Sequence, residues 1–99
     1  MRRFVVRVIS RKKLKEAWEG NPEWKASLEN WYRIVKKASW DNPADVKQTW
    51  FNSDIVGEVV VFDIAHNRCR LIAFIGYRIK AVFVLAVLSH ADYDEEKWK

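Results

Sequence analysis

EVVVFDIAHNRCRLIAFIGYRIKAVFVLAVL, residues 58–88, is the stretch whose reading decides the fold. It is dominated by β-branched and aromatic residues, and its period is two. Val60, Phe62 and Ile64 share one strand face and Val59 and Val61 the other, until Ala65, His66 and Asn67 break the run and predict a turn. Residues 69–75 then read as a returning strand and residues 76–80 as a second turn. Residues 81–88 form a third strand that is apolar on both faces and is expected inside the sheet, fully buried. The stretch therefore predicts a three-stranded antiparallel meander.

Upstream, the period lengthens. Residues 3–9 carry Phe4, Val5, Val6, Val8 and Ile9, with only Arg3 and Arg7 between them, and predict an N-terminal strand. Ser10 is placed to cap a helix over residues 11–20, whose apolar stripe is Leu14, Ala17 and Trp18 and which Gly20 ends. Asn21 and Pro22 form a cap and first-position pair for a longer helix. Its stripe is Trp24, Leu28, Trp31 and Val35, and it should stop near Ala38. Asp41, Asn42 and Pro43 predict a turn, followed by one more helical turn through Asp45, Val46 and Lys47. Downstream, Ser89 begins a short C-terminal helix through Tyr93. The expected class is α+β, with an antiparallel helical hairpin covering one face of the sheet and the other face open. On the strand at 69–75, alternation sends Arg68, Arg70, Ile72 and Phe74 to one side and Cys69, Leu71, Ala73 and Ile75 to the other.

With 99 residues, 49% of them hydrophobic and six of them Trp, residues 1–99 are expected to fill one core as a single domain without cross-links. Lys and Arg outnumber Asp and Glu by 18 to 13, a net charge of +5. The excess is uneven: Arg2, Arg3, Arg7, Arg11, Lys12, Lys13 and Lys15 all precede the first acid, Glu16, whereas Asp92, Asp94, Glu95 and Glu96 cluster near the other end. Such asymmetry fits a surface that meets a polyanion, RNA above all, and fits equally a solvated face that keeps the chain soluble. Cys69 has no partner for an internal disulfide, and His66 and His90 lack metal-ligand spacing, so a metal-free cytoplasmic protein is expected. The run of residues 81–88 falls far short of the ~20 residues that a membrane-spanning helix needs. The N-terminal apolar run is broken by Arg7 and does not read as a signal peptide.

Arg70 is the most informative residue, because an unpaired guanidinium inside an apolar strand would be very costly. It must pair with Asp63 across the hairpin or meet an anion such as a phosphate. His90 follows the last strand directly, and if Ser89 caps the C-terminal helix, Tyr93 lies one turn further on and can converge with His90 on one ligand. A histidine near neutrality can move a proton, and a phenol can orient a phosphate; a surface histidine and a packing tyrosine are the plainer alternative. Trp18, Trp24 and Trp31 belong to helical core stripes, whereas Trp40, Trp50 and Trp98 lie in predicted loops or at the end and stay open for base stacking or a partner. No Gly-rich phosphate loop, Ser/His/Asp set or carboxylate pair stands out.

The order of elements, with Asp45-Val46-Lys47, Val61-Phe62-Asp63-Ile64, Asn67-Arg68-Cys69-Arg70-Leu71-Ile72-Ala73 and Ser89-His90-Ala91-Asp92-Tyr93-Asp94, resembles the HigB toxins of the RelE superfamily. The resemblance runs from about Val8 to Lys97; family members often carry Gly-Gly where this chain has Ala65-His66, and Thr where it has Ser89. It implies a RelE-like fold and a ribosome-dependent mRNA endonuclease, held in check by a helix-turn-helix antitoxin of the HigA kind. It implies no cofactor and no metal. By family pattern Arg70 clamps the phosphate, His90 transfers a proton, Tyr93 orients the nucleotide, and Lys47, Asn67 and Arg68 line the RNA groove.

Overall fold

The computed structural model describes residues 7–65 and 68–94, with Asp94 described in its backbone alone. Residues 3–6 of the expected first strand, Arg2, the turn residues His66 and Asn67, and the C-terminal Glu95, Glu96 and Trp98 lie outside the described residues.

The elements run β1 (Arg7–Ile9), α1 (Arg11–Gly20), α2 (Lys25–Lys36), α3 (Pro43–Thr49), β2 (Ser53–Val56), β3 (Val59–Ile64), β4 (Cys69–Gly76), β5 (Ala81–Ser89) and α4 (His90–Asp94). The strands form one five-stranded sheet in the order β1-β5-β4-β3-β2. β1 runs parallel to β5, with Val8 opposite Val82, and every other neighbour is antiparallel. β5 thus lies inside the sheet, as its two-sided apolar character predicts. The α+β class and the expected order of elements stand, but the meander has four strands, not three.

The extra strand is β2. Its sequence, Ser-Asp-Ile-Val, has no clean alternation, so nothing in its side chains announces a strand. Its backbone pairing is dictated instead by the hairpin that follows, where Val56 faces Val59 and Gly57 and Glu58 make a two-residue loop. Gly57 has a φ of 60°, which a tight hairpin requires and a side chain would resist.

The helical layer follows the predicted stripes. Trp24, Leu28, Trp31 and Val35 are all buried, as is Leu14 of α1, and Ala17 and Trp18 pack against the same core. Their partners are the inward residues of the sheet, chiefly Phe62, Ile64, Leu71, Ala73, Val82 and Val84. Each large apolar side chain so buried contributes roughly 1.5–3 kcal/mol. Phe62 is the hub: Trp31 meets it edge-on at 5.3 Å and Trp40 stacks at 6.3 Å. Arg11 at the start of α1 lies 4.6 Å over the ring of Tyr32, near the end of α2, as an antiparallel hairpin requires.

The caps differ from expectation. Ser10 adopts a left-handed φ of 71° and its side chain caps nothing; only its carbonyl receives a bond, from the Lys13 N–H. Asn21 closes α1 instead of opening α2, donating its backbone N–H to Ala17 O at 3.0 Å. Pro22 then starts a single 3₁₀ turn that leads into α2, because its fixed φ suits a first turn and its missing N–H costs nothing there. α2 ends at Lys36, two residues before Ala38. The Asn42-Pro43 pair does what was expected of Asn21-Pro22: the Asn42 side chain accepts from the Asp45 N–H at 3.1 Å and α3 follows.

β5 is not buried along its whole length. The register against β4 shifts between Ile72, opposite Ala86, and Ala73, opposite Val84, so Leu85 is an extra, bulged residue and is exposed. The bulge turns both Val84 and Val87 toward the core, three residues apart where alternation alone would separate them. Among the described residues, no helix is long and apolar enough to cross a membrane.

Candidate RNA-processing site

The site is built on the sheet face away from the helices. In the β3–β4 hairpin Asp63 stands directly opposite Arg70, and Arg70 in turn faces Leu88 of β5. Alternation puts all three on the open face, next to Val61 and Ile72. That face is open only in name: Val61 and Ile72 are buried, and Arg70 itself is 8% exposed.

A guanidinium so enclosed needs a partner, and Asp63 supplies one. Arg70 Nε donates to Asp63 Oδ1 at 2.9 Å. The salt-bridge reading of Arg70 is thus the one the structure shows, and the same guanidinium lies 5.6 Å from the ring centre of Tyr93. Arg70 therefore does not point away from the C-terminal helix but lies against it. The ion pair fixes the Nε edge of the guanidinium, and the phenol supports its face.

α4 is held in place by two short links. Ser89 Oγ accepts from the Asp92 N–H at 3.1 Å, the predicted cap. The His90 N–H donates to Arg68 O at 3.1 Å, which extends the β4–β5 pairing one step beyond the strand. His90, exposed, and Tyr93, half-buried, thus start from a fixed point at the end of the sheet, beside the residue that leads into Arg70.

The other expected residues are distributed differently. Arg68 is exposed at the head of β4, and its carbonyl anchors His90. Lys47 does not join the group: its amine donates to Ser53 O at 3.1 Å, on β2, and Ser53 is aligned with Phe62 and Leu71 across the sheet. Two strand spacings, roughly 10 Å, therefore separate its anchor from the strand of Arg70. Asn67 lies outside the described residues.

Trp40 is not available for stacking, and Trp50 is half-buried. Trp40 is 2% exposed and donates its indole N–H to Thr49 Oγ1 at 3.0 Å; Trp50 donates to Asp63 O at 2.9 Å and packs edge-on against Phe62. Trp50 was the missed contributor, since it holds the strand that carries Asp63. No local signal in its loop sequence marks that long-range bond.

Cys69, next to Arg70, faces the core. Burial pushes its thiol up to about 12, outweighing the opposing influence of Arg70. It is a packed thiol and not a nucleophile.

The comparisons agree with this architecture. Residues 24–96 match the family model of the HigB toxin, the RelE-like toxic component of a toxin-antitoxin system. An mRNA interferase HigB of Escherichia coli O6:H1 is 28% identical over 91 residues, which cover 89% of this chain and 88% of that protein. The mRNA interferase toxin HigB of Escherichia coli K12 and the mRNA interferase HigB of Shigella flexneri are each 24% identical over 90 residues, 88% of this chain and 86% of theirs. With the family match extending from the last turn before α2 to beyond α4, the chain belongs to the HigB family of RelE-like toxins.

Proposed function

We propose that this chain is an endoribonuclease that cuts messenger RNA on the ribosome, in the cytoplasm, and that a helix-turn-helix antitoxin silences it. The observation that carries the reading is the convergence of Arg70, Tyr93 and the start of α4 on one end of the sheet. The names of the relatives, mRNA interferases, support the substrate class.

The proposed reaction needs no metal or cofactor. The 2′-hydroxyl of one nucleotide attacks the adjacent phosphorus, the bond to the 5′-oxygen of the next nucleotide breaks, and a 2′,3′-cyclic phosphate remains. One proton must leave the 2′-oxygen and one must reach the 5′-oxygen. Arg70 stabilises the charge that grows on the phosphoryl oxygens, a role for which a rigid, oriented guanidinium suits best. His90 moves a proton, worth roughly 10²–10⁴ in rate. Tyr93 holds the guanidinium with its ring and orients the nucleotide with its hydroxyl. Arg68 and Asn67 belong to the approach, and Lys47 to a more distant stretch of the RNA path.

Induced expression should arrest growth, and Arg70→Ala or His90→Ala should relieve the arrest while the fold, read by circular dichroism, persists. Full toxicity of both variants would remove this site from the reaction.

One observation favours a second reading. The Asp63 carboxylate already neutralises Arg70, as in a protein that binds RNA or another protein without cutting. RNA with a single 2′-deoxy substitution at the cut position separates the two: the endonuclease binds it and leaves it whole while cutting its all-ribose counterpart, whereas the binding module cuts neither.

A further inference from the structure

With Trp40 buried and Trp50 half-buried, the most exposed aromatic ring in the loop before β2 is Phe51, 79% exposed. It borders a cleft of about 630 Å³ between α2, this loop and the end of β3, within the roughly 300–1,000 Å³ of small-molecule sites. Ser27, Asn30, Trp50, Phe51, Asn52 and Asp63 are among the residues that line it. Among the described residues no Lys or Arg lines it, and the one carboxylate residue there, Asp63, is paired with Arg70.

This lining has a chemical meaning. A phosphate would meet no cation among the described residues of the lining, whereas a nucleobase would meet aromatic faces and two side-chain amides. Asn30 Oδ1 accepts from the Arg33 guanidinium at 2.9 Å, which leaves the amide N–H₂ as the donating end for a base edge. Thr49 has no hydroxyl proton left to offer a base, because its hydroxyl donates to Asp45 O while accepting from Trp40. Asp63 borders the cleft at the end of β3 while its side chain pairs with Arg70 on the sheet face away from the helices, so recess and clamp meet at the end of one strand. Single-stranded RNA presents that same division between base and backbone.

We infer that this cleft is a nucleobase subsite. It takes the base of a nucleotide neighbouring the phosphate at Arg70, with Phe51 stacked on the ring and Asn30 and Asn52 bonded to its edge. The inference rests on the reading of the chain as an RNA-cutting toxin, and it assigns to these residues the choice of where the RNA is cut.

The test uses the intact protein and two readouts. In the first, adenosine, guanosine, cytidine and uridine are titrated separately and the side-chain amide resonances of Asn30 and Asn52 are followed, with ribose 5-phosphate as the control. At least one nucleoside should move them, ribose 5-phosphate should not, and Phe51→Ala should weaken the binding roughly fivefold or more. In the second, cut positions are mapped on a translated mRNA, and Phe51→Ala and Asn30→Ala should redistribute them. Nucleoside binding that depends on Phe51 supports the subsite even if the protein cuts no RNA, in which case only the toxin reading fails. Cutting at unchanged positions in Phe51→Ala, with amides that nucleosides leave unmoved or that ribose 5-phosphate moves equally, overturns the subsite and spares the toxin reading.

Discussion

Asp63 and Arg70 face each other across the β3–β4 hairpin and are joined by an ion pair of 2.9 Å on the sheet face that the helices leave uncovered. The pair is asymmetric: the arginine side chain is 10% exposed and the aspartate 27%. Asp63 thus neutralises a cation that cannot easily stand alone, and it competes with any phosphate for the same guanidinium. On the proposed function, stability and RNA affinity pull in opposite directions at this one carboxylate.

Asp63→Asn should therefore destabilise the fold and strengthen RNA binding together. A partner lost from a pair of this exposure costs about 1–3 kcal/mol, between the values for surface and buried pairs. With one negative charge removed, the dependence of RNA affinity on salt should steepen, by up to about 0.7 in logarithmic slope for a single strand. Thermal unfolding and affinity at several salt concentrations measure both. A variant that is weaker in both respects would mean that the ion pair orients Arg70 for RNA and does not compete with it.

The ring of Tyr93 under Arg70 gives a graded series. Tyr93→Phe keeps the ring face, and Tyr93→Leu removes it. If the ring's task is to hold the guanidinium, the leucine variant should lose an additional factor of up to roughly tenfold in cleavage, the scale of a partly enclosed cation–π contact. Arg70→Lys should fall near Arg70→Ala, because an ammonium can neither stack in this way nor grip a phosphate in fork geometry. Single-turnover cleavage rates check both comparisons. A lysine variant with near-normal rates would show that charge alone suffices.

Much of this arrangement can be read before any coordinates, and the reasons are physical. The stripe of Trp24, Leu28, Trp31 and Val35 has the period of a helix that must bury one face, and β3 and β4 alternate as strands must. Arg70 stands out because burial forces it to find a partner. What stays hidden depends on contacts distant in sequence. β2 exists because Gly57 folds it back onto β3, although Ser53–Val56 has no strand pattern. Trp50 looks like a loop residue until Asp63 O, thirteen positions away, takes its N–H. No spacing in the sequence shows that the amine of Lys47 reaches Ser53 O, on a strand two away from that of Arg70. The bulge at Leu85 sets two valines three residues apart on one face, which no periodicity foretells.

Trp31 carries a polar group with nothing to bind among the described residues. Its ring is completely buried, and its indole N–H has no acceptor among the described residues. Trp31→Phe removes that unsatisfied donor, whose burial costs about 1–3 kcal/mol, and also removes ring volume, which costs a similar amount. The two should nearly cancel, leaving the variant within about 1 kcal/mol of the parent. Trp31→Ala keeps only the loss and should cost about 3–5 kcal/mol. Urea unfolding of the two variants measures the difference, and a phenylalanine variant as unstable as the alanine one would mean that the N–H has an acceptor after all.

Cys69 makes stability depend on alkaline pH, with a sign that can be worked out. Its thiol is buried, and its pKa is raised from 9.0 to about 12. Below pH 9 the thiol is protonated in both folded and unfolded chains, so it contributes no pH dependence. Between pH 9 and about 12 the unfolded chain loses the proton while the folded chain keeps it. The unfolded state is then favoured, and stability falls with a slope approaching about 1.4 kcal/mol per pH unit from this group alone. Lysines and tyrosines titrate in the same window, so the measurement is a difference: the stability of the parent minus that of Cys69→Ala, by urea unfolding from pH 8 to pH 10.5. That difference should be flat at first and then shrink above pH 9, as the advantage of the buried thiol disappears. A difference that stays constant across the range would mean that the thiolate is tolerated inside, with Arg70 next door stabilising it more than burial opposes it.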